Sequence, residues 1–276
     1  MELIYAMNDA ILITGFNGEI GRQTLLTLSK KEILIIALDI NDPHIKYDNV
    51  IYIKDSILNK DVMESIFNDY NIVEVYHFAA LLSQSANSNP KLAYEVNEEG
   101  SKLIIESAMN HGIKHKSFVK IFFPSSIAVY GPRKLKDAKE YDIIKPQTTY
   151  GCNKLVIEQF GTQKYAESIQ LGFGIDFRCL RFPGIISPYT IPSGGTTDFA
   201  PQMLHAAYNN KKYTCKVDPS TLLPFLSIKS TIDAISQIMT IPHINSKLRA
   251  FNVEELSLTP KEIVKELQKE FPKFIV

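Results

Sequence analysis

Residues 10–14 read as a short buried strand and residues 19–29 as a helix carrying Ile20, Leu25, Leu26 and Leu28, and between them stands Thr14-Gly15-Phe16-Asn17-Gly18-Glu19-Ile20-Gly21. Few folds accept that succession. Without Cβ atoms at Gly15 and Gly18 the backbone can turn tightly and approach a pyrophosphate, which then rests against the helix N-terminus and its unpaired N–H groups. The spacing is G-x-x-G-x-x-G, not the G-x-G-x-x-G of other dinucleotide-binding folds. The next apolar run, 33–38, has the continuous character of a parallel strand covered on both faces, and it ends in Asp39. An acid about 20 residues beyond such glycines accepts hydrogen bonds from an adenosine ribose and repels a 2′-phosphate, so NAD is expected over NADP.

Strands and helices then alternate. Residues 50–53, 73–77, 118–123 and 175–182 read as strands, separated by helical stretches at 60–70, 90–111 and 150–171. The expectation is an α/β chain built on a doubly wound parallel sheet. Pro90 suits a first helical turn after Asn89, and His111-Gly112 suits its end. In such sheets the strand ends line the ligand crevice, which here means Asp55-Ser56, Ala79-Ala-Leu-Leu-Ser83 and Ser125-Ser126.

Tyr150-Gly-Cys-Asn-Lys154 places a phenol and an ammonium one helical turn apart on a shared face. A cation beside a phenol favours its ionised form and pulls its pKa down from about 10 towards neutrality, which makes a base. The same spacing also occurs on ordinary amphipathic helices as a buried ring and a solvated amine.

Taken together, the glycine turn, Val75-Tyr-His-Phe-Ala-Ala80, Val96-Asn-Glu-Glu-Gly100, Pro124-Ser-Ser-Ile-Ala-Val-Tyr-Gly131 and Tyr150-x-x-x-Lys154 resemble the extended short-chain dehydrogenase/reductase superfamily, which includes sugar-nucleotide epimerases. Ala79-Ala-Leu-Leu-Ser83, Phe177-Arg-Cys-Leu-Arg-Phe-Pro-Gly-Ile-Ile-Ser187, Ser193-Gly-Gly-Thr-Thr-Asp198 and Lys212-Tyr-Thr-Cys215 with Leu222-Leu-Pro224 are similar to its L-threonine 3-dehydrogenase branch. The resemblance runs from Ile11 to Phe271. It implies a Rossmann-type cofactor domain over residues 1–182 and a smaller, partly interleaved substrate lobe over 183–276.

By that resemblance, Gly15, Phe16, Asn17, Gly18, Glu19, Ile20 and Gly21 hold the pyrophosphate of NAD, and Asp39 holds the adenosine ribose. Asp55 and Ser56 border the adenine, and Leu81 and Ile185 line the nicotinamide side. Tyr150 and Lys154 form the catalytic pair with Ser126 on the substrate hydroxyl, Lys154 also reaches the nicotinamide ribose, and Asn97 is a structural asparagine on the central helix. The implied reaction is oxidation of the β-hydroxyl of L-threonine to 2-amino-3-oxobutanoate. A threonine carboxylate needs clustered donors, for which Ser83, Thr196 and Thr197 stand ready, with Asp198 capping the helix that follows. Two other readings stay open: a sugar-nucleotide epimerase or dehydratase, and an NAD-binding protein that has lost catalysis.

With 45% apolar residues and formal net charge +0, the chain can bury a large core and carries no charge excess for nucleic acid or an anionic membrane. No apolar run reaches the roughly 18 residues of a membrane span. Met1-Glu-Leu-Ile-Tyr-Ala has neither secretory nor mitochondrial character, so the cytoplasm is expected, although animal members of the branch are mitochondrial. Cys152, Cys179 and Cys215 are too scattered for a disulfide framework, with Cys152 read as packing. No metal is expected, since His111 and His115 flank Gly112 at a helix end.

Three departures from the branch are expected to show. Lys229 replaces an acid, with Ser230 and Asp233 expected to cap a helix running to Met239. A few extra residues between Lys154 and Gly174 are expected to bulge or extend a helix over 163–170. Thr259-Pro-Lys-Glu262 opens a helix by a capping box, after which Phe274-Ile-Val276 stands where relatives continue into further elements, so a shortened substrate lobe is expected. A homodimer pairing through the helices near 90–111 and 150–171 is the expected assembly.

Overall fold

Alternation along each strand sorts the apolar side chains into two layers. In β1 (Asp9–Thr14) and β2 (Leu34–Asp39), Ala10, Leu12, Ile36 and Leu38 face one core, while Ile11, Ile13, Ile35 and Ala37 face another. A strand apolar on both faces must be covered on both, so helices lie above and below. The computed structural model describes residues 9–132, 138–142, 144–189, 195, 197–242, 244 and 246–276.

The remaining strands are β3 (Val50–Lys54), β4 (Asn71–His77), β5 (Phe118–Ser126), β6 (Gly174–Phe182), β7 (Gly184–Ile186), β8 (Leu223–Ser227), β9 (Ala250–Asn252) and β10 (Leu256–Leu258). With β1 and β2, five of them form one seven-stranded parallel sheet in the order β3-β2-β1-β4-β5-β6-β9. The order reverses at β1 and β4, and the crevice outside their C-terminal ends is where such sheets bind ligands. Strands β10-β8-β7 form a separate, smaller sheet.

Helices α1 (Glu19–Leu28), α2 (Lys60–Asp69), α3 (Ser83–Ser88) and α4 (Pro90–Ala93) come first. Then α4 runs through a π turn, Tyr94–Gly100, into α5 (Ser101–His115). After them come α6 (Thr149–Leu171), α7 (Phe199–Tyr208), α8 (Ile228–Thr240) and α9 (Pro260–Glu270). Among the described residues no helix is long and apolar enough to cross a membrane.

Several expectations shift. The helix expected to close at His111-Gly112 continues to His115 and ends on Lys116 in the left-handed region, φ 52°. Gly112 serves another need: a Cβ there would strike the carbonyl oxygen of Gly174, so its absence lets α5 lie against the start of β6. The stretch 163–170 extends α6 without a break. The cap of α8 is Ser227, whose Oγ accepts the Ser230 N–H at 3.1 Å, and Lys229 pairs with Asp233 across one exposed turn. Asp198 does not cap α7 through its side chain; its carboxylate accepts the Gly195 N–H. The capping box of α9 forms as expected between Thr259 and Glu262. Cys152 is exposed, not packed.

At β6 lies an ionic cluster that ties the sheet to the end of α8 and to the chain entering β9. Arg178 and Arg249, both fully buried, share the Asp176 carboxylate. Arg178 also donates to the carbonyls of Ile238 and Ile241, closing the C-terminus of α8, and the Arg249 guanidinium lies 3.8 Å from the centre of the Tyr165 ring. One carboxylate answers two buried cations. Asp176→Ala is therefore expected to destabilise the protein by about 3–5 kcal/mol, the cost of leaving buried charges unpaired, measured by denaturant unfolding.

Candidate active site

Gly15 takes φ +69°, and a Cβ there would run into the backbone of Ala79 at the end of β4. Gly21 packs the first turn of α1 against Gly15. Gly18 differs: a Cβ would meet only the Gly15 oxygen at 3.4 Å. No side chain caps α1. Uncapped N–H groups beside open space at a helix N-terminus form an anion site, and this donor set fits a dinucleotide's pyrophosphate. Phe16 is buried, its ring 5.4 Å from that of Tyr52, and Ile20 packs into the core on that side.

Asp39 ends β2 beside this turn and accepts from the Asn17 N–H and the Asn41 N–H, each at 3.0 Å. The Asp55 N–H bonds the Asp39 carbonyl, and Asp55 in turn accepts from the Ser56 N–H at 2.7 Å and from Asn59. Ser187, one residue past β7, donates to Glu19 at 2.6 Å and links the end of that strand to α1. Ile185 lies on β7 within the same core.

A buried chain of hydrogen bonds runs from β1 to the central helices. Ser101 donates to the Asn97 carbonyl at 2.8 Å, so its oxygen accepts from His77 Nε2–H at 2.8 Å. His77 Nδ1 is then the acceptor for the Thr14 hydroxyl at 2.7 Å. Burial, aided by the nearby Lys154 ammonium, pushes the His77 pKa down to about 3, so the ring stays neutral. Asn97 accepts from the Leu81 N–H at 2.7 Å and donates to the Leu81 carbonyl at 3.0 Å. Its amide also reaches Asn153, one residue before Lys154. Asn97 lies within the π turn and Ser101 opens α5 just after it, so the backbone of this segment sets both bearings.

Helix α6 brings the catalytic candidates together. A Cβ on Gly151 would lie 2.6 Å from the Ala128 carbonyl, so the helix start is pressed against the short 3₁₀ turn Ile127–Tyr130 that follows Ser126. Ser126 Oγ accepts the Ala128 N–H at 3.2 Å, which leaves its proton free to donate. The Lys154 ammonium lies 4.5 Å from the Phe123 ring centre and 5.5 Å from that of Tyr150. One turn further on, Glu158 takes a forked pair of bonds from Arg181 at 2.9 and 2.7 Å and one from Ser125, locking α6 to β5 and β6.

The electrostatics differ from what the Tyr-Lys spacing suggests. Burial pushes Tyr150 up to about 12 and Lys154 down to about 8. The cation faces the ring, and desolvation outweighs its effect on the phenol. At neutral pH the pair is therefore phenol and ammonium.

For substrate contacts, Ser83 opens α3, which packs against α6, and a Cβ on Gly184 would meet the Thr197 side chain at 2.8 Å, so Thr197 lies over β7. Thr196 falls outside the described residues. His77, Ser101 and Thr14 were not read from sequence as a network, because their partners lie 24 and 63 residues away. Both nitrogens of His111 are taken by Phe67 and Asn71, and among the described residues no group of His, Cys, Asp and Glu is arranged to hold a metal.

Residues 11–253 match the model of the NAD dependent epimerase/dehydratase family. The mitochondrial L-threonine 3-dehydrogenase of Bos taurus is 33% identical over 98% of this chain and 71% of its own length. The crystal structure of L-threonine dehydrogenase from Phytophthora infestans superposes with a TM-score of 0.85 at 32% identity, covering 96% of this chain and 83% of that one. A monomeric L-threonine 3-dehydrogenase from a metagenome superposes with a TM-score of 0.83 at 33% identity, covering 95% of this chain and 82% of that one.

Lys154 binds its proton less tightly in the folded chain, near 8, than at its ordinary 10.5. The unfolded chain therefore holds the extra proton between those values, folding gains stability as pH rises through that window, and the full cost is present below about 8. Lys154→Met is expected to raise the stability of the protein at pH 7 by about 1–3 kcal/mol, with the gap to wild type closing between about pH 8 and 10.5 in thermal unfolding.

Proposed function

The chain belongs to the NAD-dependent epimerase/dehydratase family, and from that premise we propose that it oxidises the β-hydroxyl of L-threonine with NAD⁺, yielding L-2-amino-3-oxobutanoate and NADH. The observation that carries this reading is the likeness to an L-threonine 3-dehydrogenase over 98% of the chain, supported by Tyr150 and Lys154 on one face of α6, whose start packs on the turn after Ser126.

NAD⁺ supplies the hydride acceptor. Gly15 to Gly21 and the N-terminus of α1 receive its pyrophosphate, Asp39 its adenosine ribose, Asp55 and Ser56 the adenine side, and Leu81 and Ile185 the nicotinamide side. Ser126 donates its free proton to the substrate hydroxyl oxygen and fixes which carbon faces the cofactor. Tyr150 takes the hydroxyl proton. With its phenol pushed up to about 12, Tyr150 must first give its own proton to solvent, and the Lys154 cation, which the lysine keeps below about pH 8, favours the phenolate that then accepts the hydroxyl proton. Ser83, Thr196 and Thr197 bind the carboxylate of the amino acid.

Pairing through α5 and α6 into a homodimer belongs to the same proposal, with Ile113, Ile169 and Leu171 as exposed apolar side chains on those helices. Sedimentation of the chain as a monomer at micromolar concentration would remove that part.

Mixing the protein with L-threonine and NAD⁺ should produce NADH, followed by absorbance. Tyr150→Phe is expected to lower the rate by about 10²–10⁴-fold, the usual worth of a positioned base, with NAD⁺ binding retained. Binding of NAD⁺ without threonine turnover, or turnover of a UDP-sugar in its place, would overturn the substrate assignment.

A further inference from the structure

Asn17 sits at the tip of the glycine turn, and its backbone N–H, its side-chain NH2 and its backbone carbonyl are all in use. Its N–H bonds one oxygen of Asp39 at 3.0 Å. Its side-chain amide donates to the carbonyls of Asn41 at 3.0 Å and Asp42 at 3.1 Å, and its own carbonyl accepts from Arg22 Nη2 at 3.0 Å. The other Asp39 oxygen takes the Asn41 N–H at 3.0 Å. Asn17 therefore brackets the exposed segment after β2 to the turn and holds both flanks of the Asp39 carboxylate. A carboxylate has about four acceptor positions, so two remain for the hydroxyls of a ribose.

The bracket also governs a cation. Lys54 is the register partner of Asp39 on the neighbouring strand β3, so the two side chains share a face of the sheet. Its ammonium is paired with the Asp42 carboxylate at 2.5 Å. Asp42 stays there because the Asn17 amide holds its carbonyl. Released, Lys54 would be an unmasked positive charge beside the one carboxylate that rejects a 2′-phosphate.

We propose that Asn17 is a specificity-determining residue for the dinucleotide: it positions Asp39 for the ribose hydroxyls and keeps Lys54 neutralised by Asp42, so that the site takes NAD and refuses NADP. This rests on the cofactor reading given above and adds the residue that enforces it. Arg22 contributes by holding the Asn17 carbonyl, away from the ribose side.

The test is calorimetric titration of NAD⁺ and NADP⁺ separately into wild type, Asn17→Ala and Asp42→Ala, with far-ultraviolet circular dichroism to show that both surface variants fold. Asn17→Ala is expected to weaken NAD⁺ binding by about 5–10-fold, since it loses two hydrogen bonds that order the site. Asp42→Ala is expected to leave NAD⁺ nearly unchanged and to tighten NADP⁺ by about 3–10-fold, an effect that shrinks as salt is raised past about 0.15 M. If wild type prefers NAD⁺ and both variants keep its affinities for the two dinucleotides, the bracket is overturned and the cofactor reading stands. If wild type binds neither dinucleotide, the cofactor reading falls and takes this one with it.

Discussion

The site depends on a buried polar chain that has no water to fall back on. Thr14, His77, Ser101 and Asn97 are each fully or almost fully buried, and each uses its neighbour as a hydrogen-bond partner. An unpaired member would carry the full cost of a desolvated polar group, so the chain is satisfied as a whole or not at all. Its geometry sets the distance between three elements. It fixes the end of β1, where the glycine turn begins; the end of β4 at His77 and the segment carrying Leu81 beyond it; and α6, through Asn153 beside Lys154. Cofactor turn and catalytic helix are thereby held to one frame, and the Glu158–Arg181 fork secures the same helix from its other side.

The fold was largely legible because its signals are local. Apolar runs at 10–14, 33–38 and 175–182 have the length and continuity of strands covered twice, and the glycines between β1 and α1 have a purpose that residue type alone reveals. The Tyr-Lys spacing was legible as a shared face, but its electrostatics were not. Spacing says where a cation can be; the extent of burial decides what it does, and burial comes from Phe123 and the rest of the cleft. The cap of α8 was misplaced by three residues because Ser227 and Ser230 are the same residue type at cap spacing, and only the backbone shows which one is extended. Gly112 read as a stop signal because glycine often ends a helix, whereas here its missing Cβ serves a neighbouring strand. The paired arginines on Asp176 were invisible, since charge in a sequence reads as surface until the contacts are known.

Charge placement follows one economy across the molecule. Carboxylates sit where buried cations need them, Asp176 for Arg178 and Arg249 and Glu158 for Arg181, while Lys154 is left with aromatic faces in place of a counter-ion. A lysine bonded to a carboxylate would be more firmly charged and less responsive. Burial lowers its pKa to about 8 even with the Glu158 charge acting on it through space, so its protonation sits close to the pH at which a cell works.

The π turn between α4 and α5 carries a consequence for how such a chain can change over generations. A helix closes its ladder with one residue fewer per turn, so removing any one residue from Tyr94–Gly100 would give a more regular backbone there. The gain in regularity would turn Asn97 and Ser101 to new bearings, parting Leu81 from His77. In this segment the shortest viable deletion improves the scaffold and dismantles the site. Here the number of residues between α4 and α5 matters alongside Asn97 itself, because it sets where that side chain points.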